Sequence, residues 1–81
     1  MQKYKRVYLS YFNYGEQDYV PSEYSGLPAE DIHHLTFRSQ GGKDEVENLM
    51  ALTREEHDRA HSDREFNERL KKIHLKRLQT L

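Results

Sequence analysis

Two pairs of histidines constrain this chain more than any other feature: His33 beside His34, and His57 four residues before His61. Between the pairs lie Gly41-Gly42 and Asn48, which opens a short apolar run. Imidazole is the commonest protein ligand for transition metals and the commonest general base near neutral pH. On a helix, residues four apart leave from one face with Cβ atoms about 5–6 Å apart. The rings of His57 and His61 can therefore bind one ion at about 2.0–2.1 Å per nitrogen. On a strand, neighbours point to opposite faces, so His33 and His34 do not share an ion. One can complete a three-histidine site while the other stays free for acid–base work; spacing does not say which does which. Three protein ligands leave coordination positions for water or a phosphate oxygen, as catalysis requires.

The local patterns around these histidines supply the strand and the helix that this geometry requires. Residues 31–37 read as a strand, 39–44 as a loop marked by Gly41-Gly42, and Leu49–Leu52 as the returning strand. Thr53 followed by Glu56 is a capping-box signature, so a helix carrying His57 and His61 starts there. Ser62 and Glu65 repeat the signature, which starts a second helix near Asp63. On that helix Phe66, Leu70, Ile73 and Leu81, with Leu78 or Arg77 between, keep an apolar stripe. Tyr4, Val7, Tyr8 and Tyr11 have helical spacing with Gly15 as a stop, and residues 19–25 read as a short strand and turn. The tyrosines of the first helix are expected to pack the core rather than stack on bases. His74, away from the two pairs, is expected to be solvated.

Only 35% of the 81 residues are apolar and 33% are charged, so residues 1–81 read as a single domain with a thin core. Domains of this size usually need a staple. The absence of cysteine excludes disulfides and thiolate metal sites, leaving a histidine-held metal or a partner chain. No apolar run nears the roughly 20 residues of a membrane span, and no signal-peptide pattern opens the chain; no membrane association is expected. The net charge of −1 hides an uneven distribution: residues 1–12 carry three basic and no acidic side chains, residues 13–56 sum to −7, and residues 63–81 to +3. Basic ends around an acidic middle suit a protein that grips phosphates and holds a cation, although each end alone also fits an ordinary solvated face. Lys71, Lys72, Lys76 and Arg77 follow Arg69 with no acidic residue between, and this run is the candidate for non-specific phosphate contact, with a plain solvated face as the alternative.

Taken together, Asp31-Ile32-His33-His34-Leu35, Arg38-Ser39-Gln40-Gly41-Gly42, Glu47-Asn48-Leu49, Leu52, His57 and His61 resemble the HNH endonuclease motif. The resemblance covers residues 22–61, about half of the chain. It implies an α+β fold with a ββα-metal core, here with an added helix at each end. It also implies one divalent metal ion (Zn²⁺, Ni²⁺, Mg²⁺ or Mn²⁺) on His33, His57 and His61, with His34 as the general base. Asn48 would brace the loop and strand that aim His34, and Asp31 would be an acceptor behind the ligands. Arg38 is a candidate phosphate clamp, with a solvated loop arginine as the alternative reading. The activity implied is nicking of DNA, with pairing of two chains a route to double-strand breaks. Such chains resemble nucleases of phages and mobile elements, which places the expected compartment in the bacterial or phage-infected cytoplasm. Many relatives also hold a structural zinc on two CxxC pairs. The matching positions here are Ser22, Ser25, Thr53 and Glu56, so no Cys₄ zinc is expected, and Phe37 stands where relatives often have proline.

Three other readings compete. A zinc-protease reading of His57-Asp58-Arg59-Ala60-His61 fails because that chemistry needs Glu after the first histidine. A small helical interaction protein with incidental histidines leaves the joint spacing of the four histidines and Asn48 unexplained. A catalytically inactive, metal-stabilised nucleic-acid-binding module uses the same residues as the nuclease and is separated from it only by assay.

Overall fold

The computed structural model describes residues 2–80. It is a small α+β fold: a two-stranded antiparallel hairpin with three α-helices, compatible with a ββα-type arrangement. The elements are α1 (Lys3–Tyr11), β1 (Asp31–His34), β2 (Leu49–Leu52), α2 (Arg54–Ser62) and α3 (Arg64–Gln79), with two 3₁₀ turns, Arg38–Gln40 and Val46–Asn48, inside the hairpin connection. No helix among the described residues is long and apolar enough to cross a membrane.

The hairpin is sandwiched, and strand alternation divides its side chains between two cores. In the register, Ile32 faces Ala51, His33 faces Met50 and His34 faces Leu49. Met50 and Leu52 pack with Leu35, Ala60, Phe66 and Leu70 against α2 and α3. Leu49 and Ala51 pack with Tyr8 on the opposite side, where α1 also contributes Tyr4 and Val7. All four residues of β2 are therefore buried, as expected of a strand covered on both faces. His33 falls on the α2/α3 side, and His34 on the α1 side with the edge of Tyr4 against its ring (centroids 4.8 Å apart).

Local chemistry explains the boundaries. Thr53 accepts from the Glu56 backbone while the Glu56 carboxylate accepts from the Thr53 backbone, completing the capping box that starts α2. Ser22 Oγ also donates to that carboxylate (2.5 Å) and accepts from the backbone of Tyr24 and Ser25. A knot of hydrogen bonds thus joins the loop at Ser22 to the start of α2. Burial opposes ionisation of Glu56, but donors from Ser22, Ser25 and Thr53 outweigh it and hold the carboxyl below its ordinary range. In the hairpin connection, Gly41 adopts a left-handed φ of 84°, a conformation open to glycine. A Cβ on Gly42 would lie 1.8 Å from the Thr36 carbonyl oxygen, so no other residue fits there.

Several boundaries and placements differ from the sequence expectation. Helix α1 ends at Phe12–Asn13, not Gly15, because Asn13 takes a left-handed φ of 61° and Tyr14 N–H donates to the Leu9 carbonyl; asparagine tolerates that region better than most residues. Tyr8 is fully buried, but Tyr11 is 52% exposed and leaves the core stripe. Residues 19–25 form no strand: Pro21 makes an isolated bridge to Pro28, and Glu23 N–H donates to the Ala51 carbonyl of β2. β1 stops at His34, where the chain turns toward the 3₁₀ turn at Arg38. Asp63, not Ser62, caps α3 by accepting from Phe66 N–H. Leu81 of the expected stripe lies outside the described residues.

His74 is buried rather than solvated. Its Nδ1 lies 2.8 Å from Glu23 Oε1 and its Nε2 lies 2.7 Å from the Val46 carbonyl oxygen. Both ring nitrogens thus contact oxygen atoms of other elements of the fold. The Glu23 carboxylate also accepts from Tyr8 and contacts Arg77 at 3.1 Å. Burial and this carboxylate raise the Tyr8 hydroxyl pKa. A buried polar network thereby ties α1, the Glu23 loop and α3 together, and among the described residues no buried side-chain polar atom lacks a partner.

Candidate metal centre

Local rules place the three histidines. His33 points from β1 toward α2 and α3 by strand alternation, while His57 and His61 project from one face of α2 by the four-residue repeat. One ligand nitrogen from each of the three lies within 4.8 Å of the other two. Nitrogens bound at about 2.0–2.1 Å to one ion are at most about 4.2 Å apart. Only a collinear pair reaches that limit; in a tetrahedral site the nitrogens lie about 3.4 Å apart, so closing the cluster on an ion draws its widest pair together by up to about 1.4 Å. These three histidines can hold a metal ion. Their donor set is all imidazole, and among the described residues no carboxylate joins it.

The surroundings hold the rings in place. His33 is fully buried; its Nδ1 lies 2.9 Å from Nδ1 of His57, and its Nε2 lies 2.8 Å from Asn67 Oδ1. Phe37 stacks on His61 with centroids 4.3 Å apart and planes 12° from parallel. Its packing role is thus to fix the outermost of the three rings. Burial pushes the His33 imidazole down to about 4, against the opposing effect of the Asn67 hydrogen bond, with the other histidines adding to the depression. Burial also lowers His57, while the Asp31 carboxylate works against that shift. Both shifts favour the neutral ring, which is the form that binds metal.

His34 points from β1 on the other face, yet from the strand's last position it lines a cavity of about 200 Å³ together with Phe37, Arg38, His57 and His61. Its Nε2 is 2.8 Å from Asp44 Oδ1, and Arg38 donates to the other Asp44 oxygen at 2.8 Å. Hydrogen bonds from His34 first, and then from Arg38, hold the Asp44 carboxyl below its ordinary range. An ionised Asp44 accepting from Nε2–H leaves His34 Nδ1 as the acceptor nitrogen. Asp44 is a site residue that the sequence reading did not single out.

Asn48 uses its whole amide on the loop. Its Oδ1 accepts from Thr36 N–H (2.7 Å), and its Nδ2 donates to the carbonyls of Thr36 (3.1 Å) and Lys43 (3.0 Å). These contacts tie the chain just after His34 to the chain just before Asp44. Asp31 sits elsewhere: its carboxylate is held by Arg54 through contacts of 2.6 and 3.0 Å, which lowers its pKa. No histidine among the described residues donates to it. The side chain that accepts from a candidate ligand, His33, is the Asn67 amide instead.

A second depression of about 460 Å³ adjoins the site, lined by His61, Phe37, Gln40, Arg64, Asn67 and Lys71 among others. Lys71 there is paired with Glu68 at 2.9 Å. Lys72 and Lys76 are exposed and do not line it. Arg38 borders the smaller cavity, with its side chain 62% exposed while paired to Asp44. No family model, no curated protein and no solved structure matches this chain.

Proposed function

We propose that this chain is a divalent-metal-dependent endonuclease of the HNH type that hydrolyses DNA phosphodiester bonds. The observation that supports it best is the meeting of three histidine nitrogens within 4.8 Å, with a fourth histidine, His34, lining one small cavity with two of them, His57 and His61. In this reading His33, His57 and His61 hold one ion, and the unprotonated Nδ1 of His34 takes a proton from the attacking water. Asp44 keeps the His34 ring in the tautomer that leaves Nδ1 free. Attack on phosphorus breaks the bond to the 3′ oxygen, giving 5′-phosphate and 3′-hydroxyl ends. A bound divalent ion would supply positive charge against the phosphate and the leaving oxygen. Imidazole donors favour Zn²⁺ or Ni²⁺ in binding, so turnover is tested with these as well as with Mg²⁺ and Mn²⁺.

Arg38 is placed at the cavity to meet a phosphate oxygen, in competition with Asp44. Arg64 and Lys71 line the adjoining depression together with Glu68, the partner of Lys71; with Lys71 exchanging that carboxylate for phosphate, the depression is a path for the strand beyond the scissile bond. A chain acting alone would nick one strand; cutting both would take two copies.

The test is plasmid nicking with Mg²⁺, Mn²⁺, Ni²⁺ or Zn²⁺, comparing wild type with His34→Ala while metal uptake is followed by calorimetry. Nicking by the wild type, lost in His34→Ala although one ion still binds, is the expected result. A wild-type protein that binds metal and DNA but nicks with no ion would overturn the nuclease and leave a metal-stabilised binding module.

A further inference from the structure

We propose that Asn67, on α3 and outside the ββα core, is the positioning residue of the metal centre: it fixes the tautomer of His33 so that Nδ1 is the ligand nitrogen. The inference rests on the three-histidine metal reading but not on DNA cleavage. Its ground is the direction of each hydrogen bond. Asn67 Nδ2 donates to the Leu35 carbonyl at 2.9 Å, which can only accept, and this sets the orientation of the amide. Oδ1 of Asn67 therefore faces His33 Nε2 at 2.8 Å, and an amide oxygen can only accept. His33 must carry its proton on Nε2, leaving the Nδ1 lone pair directed at His57 and the cluster centre.

Burial makes this choice binding. His33 is fully buried and Asn67 is 7% exposed, so water does not substitute for either partner. The opposite tautomer would set a bare Nε2 against the Asn67 oxygen, two acceptors in contact. An orienting acceptor behind a ligand histidine is a recurrent requirement of metal sites, and its loss typically weakens binding about 10–100-fold. Asn67 reaches this place because Asp63 caps α3 and Phe66 is buried beside it, between the ring edge of Tyr24 and the Arg59 guanidinium. The third helix is thus part of the metal centre, not an appendage to it.

The decisive measurement is ¹⁵N–¹H NMR of the imidazole nitrogens of the full, metal-free chain. In the wild type His33 is expected to show a protonated Nε2 and an unprotonated Nδ1; the reverse tautomer would overturn the proposal whatever any variant does. In Asn67→Leu the His33 signals are expected to shift toward a tautomer mixture, and in Asn67→Asp, which keeps an acceptor at Nε2 while losing the donation to the Leu35 carbonyl, Nε2 is expected to stay protonated. Zinc titration by calorimetry should show a Kd raised about 10–100-fold in Asn67→Leu and less than about fivefold in Asn67→Asp. An Asn67→Leu protein that keeps both the tautomer and the wild-type Kd also overturns the proposal. Failure of the wild type to take up zinc would instead sink the metal reading, and the tautomer result separates the two failures.

Discussion

Asn48 shows how much one side chain can carry when its amide is fully used. It accepts from Thr36 N–H and donates to the Thr36 and Lys43 carbonyls, so it closes the loop between His34 and Asp44. Alanine there leaves one donor and two acceptors without partners, a loss on the order of 1–3 kcal/mol. We predict that Asn48→Ala lowers the urea midpoint with little change in m-value. The three candidate ligands lie on β1 and α2, outside this loop, so zinc affinity should stay within about twofold of wild type. Nicking should fall on the order of 10–100-fold, since a displacement near 1 Å can cost that much. Loss of zinc binding in parallel with stability would show that Asn48 acts through the fold as a whole.

Elements were readable from sequence where their causes are local. The capping box at Thr53 and Glu56 and the hydrophobic run Leu49–Leu52 locate α2 and β2, and the spacing of His57 and His61 follows from one helical repeat. Partners across the fold were not readable: Asp44 meets His34 over 10 residues, Asn67 meets His33 over 34 and Glu23 meets His74 over 51. A signal for two of them was present. His74 lies four residues beyond Leu70 on the stripe that begins at Phe66, which marks a facing position rather than a solvated one. Asn67, a poor helix former amid strong ones, borders the same stripe.

Helix α3 also yields a test of substrate path, because its basic residues are not equivalent. Arg64 and Lys71 line the depression beside His61, whereas Lys72 and Lys76 do not. If the strand follows that depression, Arg64→Ala with Lys71→Ala should raise KM for DNA, leave kcat nearly unchanged and reduce the salt dependence of binding by about one to two phosphate contacts. Lys72→Ala with Lys76→Ala serves as the control. An equal effect from the two pairs would reduce the depression to a non-specific basic surface.

At the scale of the whole molecule, an ion would bridge β1 to α2, two elements already clamped by other means. The hairpin is packed on both faces, and the network of Tyr8, Glu23, His74 and Arg77 ties α1 to α3. His33 is buried on the face of the first core, with His57 half-buried and His61 exposed. The apolar packing of both cores nevertheless forms without an ion, so metal should add to the stability of a folded chain rather than create the fold, unlike a zinc finger. We predict that the chelated protein keeps a helical circular dichroism spectrum and melts cooperatively. At a free zinc concentration of about 100 times Kd, binding adds about 2.7 kcal/mol. For a domain of this size that corresponds to a rise in Tm on the order of 10–20 °C. His34→Ala should show the same rise, and His57→Ala little or none. A chelated wild-type chain with no helical signal would mean that the ion organises the hairpin and helices together, and an undiminished rise in His57→Ala would move the metal to other ligands.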